Sequence, residues 1–253
     1  MVGPLLEIKK NGYVFEIKIS HLDSRNALSP SLVSDLNNVI SSIDADPDVR
    51  FVVLKGMPDI FCSGFQISGF LAAAQSLDSD SLAGQFFDLL LAITKSPKLF
   101  ICEVSGEVIG GGIGLVCAAD YVIASGSARF VCPEAKYAII PAVIFPFMQR
   151  RLGAHLATRM SLTAEELSAQ TAEQWGLIDE VVGDLNIGTN RLLRSLMRVH
   201  PAGISRLKSY RNELNLFDQN VRQLALRNFK EMIESSEAHE RLSSLKNISQ
   251  RSD

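Results

Sequence analysis

Gly106-Glu107-Val108-Ile109-Gly110-Gly111-Gly112-Ile113-Gly114-Leu115 is the stretch on which the reading of this chain turns. Ahead of it, Leu99-Phe100-Ile101-Cys102-Glu103-Val104 reads as a short buried strand. Behind it, Ile113 to Ala119 reads as an apolar helix. A strand, a glycine turn and a helix start leave free N–H groups at a helix N-terminus, where negative charge is favoured. Three successive glycines also let a ligand approach the main chain, because no Cβ stands in the way. Tight helix–strand packing would use the same residues, so the meaning of the stretch depends on what else the chain supplies.

Two further stretches carry polar or backbone chemistry. In Phe61-Cys62-Ser63-Gly64-Phe65-Gln66-Ile67, Gly64 permits an unusual backbone turn after a strand and a loop. If this loop faces the glycine turn, the N–H groups of Phe65 and Gly111 converge on one oxygen and stabilise a developing oxyanion. An ordinary loop is the competing reading. In Ala128-Arg129-Phe130-Val131-Cys132-Pro133-Glu134-Ala135-Lys136-Tyr137, Glu134 stands at the end of an apolar strand. Desolvation there would raise its pKa toward working pH and suit it to acid–base work; a capping or surface glutamate is the alternative.

The chain around these motifs has 253 residues, enough for one large domain or one domain with a small appendage. It is 47% hydrophobic and 21% charged, as in ordinary globular proteins. The net charge of −3 argues against nucleic acid as a main partner. No run of 18 apolar residues marks a membrane span. Met1-Val2-Gly3-Pro4 leads straight into a strand, without the basic and apolar regions of a signal peptide. Cys62, Cys102, Cys117 and Cys132 lack metal-ligand spacing and read as reduced core residues of a cytoplasmic protein. His21, His155, His200 and His239 are scattered, so no metal site is expected.

The order of elements predicts an α/β fold. Leu5 to Lys9 and Tyr13 to Ile19 form a hairpin around Asn11-Gly12. Ser29-Pro30 starts a helix with Leu32, Leu36, Val39, Ile40 and Ile43 on one face. Phe51-Val52-Val53-Leu54 is a buried strand. Gly56 to Gly69 reads as loop with room for a short helix, Leu71 to Asp80 as a mobile stretch that could act as a lid, and Leu82 to Lys95 as helix. Strands follow at Asp120 to Ala124 and Arg129 to Val131, as expected of right-handed crossovers on a sheet. Later come helices over Phe145 to Leu152, His155 to Ser161 and Ala164 to Trp175, ended by Gly176, and a strand at Leu177 to Val182. The chain divides into a core over 1–184 and a helical segment over 185–253.

With these motifs in view, the chain resembles the crotonase superfamily, the enoyl-CoA hydratase/isomerase fold. The resemblance runs from Leu5 to Gly183. It rests on Ser24-Arg25-Asn26-Ala27-Leu28-Ser29, Phe61 to Phe65, Gly106 to Gly112, Arg129 to Glu134 and Glu173-Gln174-Trp175-Gly176-Leu177-Ile178-Asp179. It implies a spiral of ββα units with a helical C-terminal trimerisation segment, assembled as a homotrimer or dimer of trimers. It further implies a thioester on a coenzyme A or phosphopantetheine arm as substrate, with no separate cofactor, and an oxyanion hole formed by the amides of Phe65 and Gly111. Arg25, Ala27, Gly64, Gln66 and Gly110 fall at its substrate-binding positions, and Arg25 matches the residue that holds the 3′-phosphate of coenzyme A in many crotonases.

Departures from the family pattern narrow the chemistry. Hydratases of the family carry a glutamate three residues after the oxyanion glycine; here that position is Gly114. Their other glutamate matches Glu134. The dehalogenases' aspartate has no counterpart in Ile139-Ile140-Pro141-Ala142-Val143. One glutamate suffices for dehydration of a 3-hydroxyacyl thioester or for Δ3,Δ2-enoyl isomerisation. Hydration of an unusual substrate and a non-catalytic scaffold are the remaining alternatives. Tyr137 to Phe147, Arg150-Arg151-Leu152-Gly153 and Gly56 to Cys62 are similar to the dehydratases of polyketide β-branching, which act on 3-hydroxy-3-methylglutaryl groups held by an acyl carrier protein. Such a group has a distal carboxylate, for which Lys136 and Tyr137 are the candidate partners.

Overall fold

The computed structural model describes residues 5–65, 81–214, 217, 219–238 and 240–241. Its strands fall into two sheets. The larger has six strands, with the N-terminal hairpin at one edge, and the smaller has four. β1 (Leu6–Asn11) and β2 (Val14–Ile19) are the expected antiparallel hairpin, closed by the Asn11–Val14 pair.

After the hairpin, successive turns of the spiral place one strand in each sheet. β3 (Phe51–Lys55) lies in the large sheet and β4 (Ile60–Cys62) in the small one. β5 (Leu99–Val104) and β6 (Glu107–Ile109) repeat the pattern, as do β7 (Tyr121–Ser125) and β8 (Arg129–Val131). The step between sheets is tight. A Cβ on Gly106, whose φ is +69°, would stand 2.0 Å from the carbonyl carbon of Asp59, so only glycine fits there. β9 (Leu167–Ser168) and β10 (Glu180–Val182) complete the small and large sheets respectively.

Helices cover the sheets where the apolar patterning predicts. α1 (Pro30–Ala45) has Ser29 as N-cap, its side chain accepting from the Leu32 N–H, and buries Leu32, Leu36, Ile40 and Ile43. α2 (Leu82–Lys95) is capped by Ser81 in the same way. α3 (Gly111–Ala118) is buried along its whole length, which explains why it is apolar on every face. α4 (Phe145–Thr163) contains a break at Gly153, with φ +74°, between the two expected helices.

Three expectations need correction. The Gly56 to Gly69 stretch contains β4 rather than loop and helix, and its residues 66–69 lie outside the described residues. β6 occupies the first part of the glycine stretch. Ala164 to Trp175 is not one helix. Ala164 caps α4 in a left-handed conformation, β9 follows, and Ser168 then caps α5 (Ala169–Gln174). Leu71 to Asp80 also lies outside the described residues.

The C-terminal part consists of α6 (Leu185–Leu196), α7 (Pro201–Leu214) and α8 (Gln219–Ile233). Ala225, Phe229 and Ile233 of α8 join the main hydrophobic core. Polar ties reinforce this docking. Arg222 makes a two-pronged ion pair with Asp88 at 2.7 and 2.8 Å. Buried Lys208 bonds Asp120, which also pairs with Arg211 at 3.0 Å. Among the described residues, no helix is long and apolar enough to cross a membrane.

Candidate active site

The small sheet brings the three motifs to one place. β4, β6 and β8 run parallel, with Cys62 opposite Val108 and Ile109 opposite Val131. Each strand then releases its chain at the same end. β4 leads into Gly64-Phe65, β6 into Gly110-Gly111, and β8 into Cys132-Pro133-Glu134. The carboxyl ends of parallel strands are a usual place for ligand sites. Here the register dictates which residues meet, and the Gly110 N–H extends it by donating to the Val131 carbonyl at 3.0 Å.

The Gly64 loop abuts the glycine turn. Gly64 has φ +82°, and a Cβ there would stand 3.0 Å from the Ile109 oxygen and 3.5 Å from the Gly111 nitrogen. A Cβ on Gly111 would stand 3.4 Å from the Phe65 ring and 2.5 Å from Leu28 Cδ1. Leu28 holds this loop from the other side. Its N–H donates to the Gly64 carbonyl at 2.7 Å, and it forms an isolated parallel bridge with Phe65. Gly111 opens α3, so its N–H has no intrahelical acceptor and stands at the positive end of the helix.

Glu134 lies across from that turn. It starts a 3₁₀ turn, Glu134–Tyr137, immediately after Pro133. Its Oε1 is 3.0 Å from where a Cβ on Gly110 would be. Gly110 has φ +50°, so both its conformation and this contact call for glycine. Glu134 Oε2 accepts from the Cys132 thiol at 3.1 Å. Burial raises the Glu134 pKa, while the bonds from Cys132 and from its own N–H draw it back down. A carboxyl held in this way can take and return a proton nearer neutrality than an exposed glutamate.

Position 114 is closed. A Cβ on Gly114 would stand 2.6 Å from Ile144 Cγ2 and 3.0 Å from Leu90 Cδ1. The side chains of α2 and of the entry to α4 occupy the space that a second carboxylate would need.

The remaining candidate residues are spread around this centre. Ala27 is buried. Arg25 is exposed, in a left-handed conformation, and pairs with Glu107 at 2.5 Å. Lys136 is exposed and Tyr137 partly buried. On a 3₁₀ turn, residues three apart stand one above the other; Tyr137 therefore shares the side of Glu134 and Lys136 does not. Gln66 lies outside the described residues. An apolar cavity of about 770 Å³ borders the turn at Ala135 and runs between α4 and α8. Its walls include Ser161 and Leu224 but not Glu134, Gly110 or Phe65, so it lies beside the centre.

Two contacts escape a reading of the sequence. Asn26 lies inside a quoted motif, yet its task shows only in the structure. Its Nδ2 donates to the carbonyls of Ile19, Ile60 and Phe61 at 3.1–3.2 Å, and its Oδ1 accepts from the His21 N–H at 2.8 Å. It thereby ties the Arg25 loop to β4. Its φ of +56° is a signal in retrospect, since asparagine tolerates that region. The second is Cys132. All four cysteines are buried and free, as expected of core residues. Burial pushes the thiols of Cys62, Cys102 and Cys117 up to about 12. Cys132 alone among them reaches the Glu134 carboxyl; its place two residues earlier on the same strand end was the available clue.

Comparison with known proteins agrees with this fold. The family model described as enoyl-CoA hydratase/isomerase matches residues 9–248. The bacillaene synthase dehydratase PksH of Bacillus subtilis is 28% identical over 211 residues, covering 83% of this chain and 81% of that protein. Enoyl-CoA hydratase ACTT6 of Alternaria alternata is 30% identical over 238 residues, covering 90% of this chain and 78% of the relative. Among solved structures, an enoyl-CoA hydratase from Mycobacterium avium superimposes with a TM-score of 0.86 at 30% identity, covering 97% of each chain. PksH of Bacillus subtilis superimposes with a TM-score of 0.87 at 24% identity, over 96% of this chain and 97% of that one, a likeness of fold.

Proposed function

This chain belongs to the enoyl-CoA hydratase/isomerase family, and from that premise we propose that it dehydrates a 3-hydroxyacyl thioester. The substrate we assign is 3-hydroxy-3-methylglutaryl on an acyl carrier protein, and the product 3-methylglutaconyl on the same carrier. The observation that carries the reading is the Glu134 carboxyl over the glycine turn, together with the closed position 114. A dehydratase in polyketide synthesis among the relatives supports the substrate class.

The thioester carbonyl lies between the amides of Phe65 and Gly111. Ionised Glu134 removes a proton from C2, and the electron pair moves onto the carbonyl oxygen, where two N–H donors and the start of α3 stabilise it. As the carbonyl re-forms, C2 and C3 become doubly bonded and the C3–O bond breaks. Glu134 returns the same proton to the departing hydroxyl, which leaves as water. The carboxylate is regenerated and nothing else is consumed.

Around this centre, Ala27, Gly64 and Gly110 line the path of the pantetheine arm. Arg25 sits at its outer end. Its pair with Glu107 is exposed and therefore worth little, so an acidic carrier surface or a terminal phosphate can displace it. Tyr137 and Lys136 are assigned to the distal carboxylate, Tyr137 first because it shares the side of Glu134. The proposal includes assembly as a homotrimer or a dimer of trimers through the segment 185–253, which sedimentation measures.

Mass spectrometry of carrier protein loaded with 3-hydroxy-3-methylglutaryl tests the reading. The enzyme should remove one water. Glu134→Ala should slow the loss by about two to four orders of magnitude. Full activity in that variant removes Glu134 from the mechanism. Conversion of 3-enoyl-CoA to the conjugated isomer, without dehydration, would assign the same carboxyl to isomerisation instead.

A further inference from the structure

We propose that Cys132 is a positioning residue for Glu134: its thiol holds Oε2, so that Oε1, the oxygen over Gly110, is the one that moves the proton. The inference rests on the reading of Glu134 as the acid–base group.

The two oxygens of Glu134 have different surroundings. Oε1 stands 3.0 Å from the Cβ position of Gly110, at the turn that leads into Gly111. Oε2 stands 3.1 Å from Cys132 Sγ. The terminal torsion of a glutamate is broad and two-fold, so an untethered carboxyl presents either oxygen at many angles. A donor on one side removes that freedom. The chain fixes where the donor sits, because Cys132 follows β8 directly and Pro133, with φ −86°, restricts the link to Glu134.

The direction of this bond follows from burial. Cys132 has no exposed surface. Both burial and the neighbouring carboxylate push the thiol pKa up, so the proton stays on sulfur and the thiol is the donor. On its other side the sulfur meets Ser161 Oγ only at 4.0 Å, and the Ser161 hydroxyl donates to the Ala157 carbonyl at 2.8 Å. The carboxylate is therefore the better acceptor for the Cys132 proton. Among the described residues, the influences on Glu134 are its burial, this thiol and its own N–H. In both proton transfers Oε1 gains and then loses the proton, while the sulfur keeps its own.

The test compares pH profiles of kcat/KM for dehydration of the carrier-bound substrate. Cys132→Val fills the site, with one methyl group to spare, and removes the donor; Cys132→Ser keeps a donor. Loss of a donor to a carboxylate raises the carboxyl pKa. In the valine variant the rising limb should therefore move to higher pH, by about half a unit for a weak donor. Its kcat should fall about ten-fold, with KM unchanged, from the loosened geometry. The serine variant should keep the wild-type limb. A merely structural role would lower the folded fraction in both variants and leave the limb in place, and that result overturns the inference. Should the valine variant lack a native circular dichroism spectrum, Cys132→Ala carries the same comparison. Glu134→Gln separates the two levels. If it stays active, the acid–base reading fails; if it is inactive while the limb of the valine variant coincides with wild type, only the role of Cys132 fails.

Discussion

Gly114 is the position at which this enzyme departs from a two-carboxylate hydratase, and its packing can be challenged directly. Gly114→Ala places a methyl group 2.6 Å from Ile144 Cγ2 and 3.0 Å from Leu90 Cδ1. Carbon atoms rest about 3.5–4.0 Å apart, so the neighbours must yield by up to roughly 1 Å. Both are fully or almost fully buried, which leaves little room to yield. Overpacking of this kind costs about 1–3 kcal/mol, and replacing glycine by alanine within a helix returns up to about 1 kcal/mol. The net expectation is a destabilisation of about 0–3 kcal/mol, read from denaturant melts. Combining it with Ile144→Ala should give a smaller loss than the sum of the two single variants, because the clashing methyl has gone. Gly114→Glu should be worse than Gly114→Ala, since its carboxylate would enter an apolar region without a partner, and it should gain no hydration of a simple enoyl thioester. A Gly114→Ala variant stabilised by the whole helix-propensity gain, or a well-folded Gly114→Glu variant that hydrates crotonyl thioester, would refute this account of the site.

Burial raises the folded-state pKa of Glu134 above its ordinary 4.5, so between those two values the native protein binds more protons than the unfolded chain, and stability falls as pH rises through the window. Glu134→Gln should therefore melt higher than wild type at pH 7, by roughly 2–4 °C per kcal/mol relieved, and the difference should close below the unfolded value. Asp120→Ala strips the partner from buried Lys208 and the acceptor from the Phe100 N–H. Breaking such a buried pair costs about 3–5 kcal/mol, again measurable by denaturant melts. Asn26→Ala leaves the carbonyls of Ile19, Ile60 and Phe61 without their donor. It should cost about 1–3 kcal/mol and also lower kcat, because the same side chain anchors β4, which leads into Gly64-Phe65; steady-state kinetics at a temperature where the variant is folded separates the two effects.

The parts of the fold that were legible in the sequence are those that bury long apolar runs. Phe51 to Leu54, Leu99 to Val104 and α1 each carry a pattern dictated by one environment. Of the small sheet, only β8 was legible, read from the sequence as Arg129 to Val131. β4, β6 and β9 are two or three residues long, too short for a period, and β4 and β6 sit among glycines and turn residues. Yet those strands fix the site, since the pairing of Cys62 with Val108 and of Ile109 with Val131 decides that Gly64, Gly110 and Glu134 meet. The chemical types at the centre were therefore readable one motif at a time, while their adjacency is a property of register. Position 114 shows the same division. Its missing carboxylate could be read from the chain, but that Ile144 and Leu90 fill the space could not, because they come from elements 30 residues away on one side and 24 on the other.

Exchange of the C2 proton probes the enolate directly. In heavy water, with a carrier-bound thioester that lacks the 3-hydroxyl and so cannot lose water, the enzyme should wash deuterium into C2, and Glu134→Gln should abolish the uptake while still binding the carrier. Uptake that persists in Glu134→Gln, or that is absent from the wild-type enzyme while dehydration of the true substrate proceeds, would contradict a single carboxyl working against an enolate held by the Phe65 and Gly111 amides.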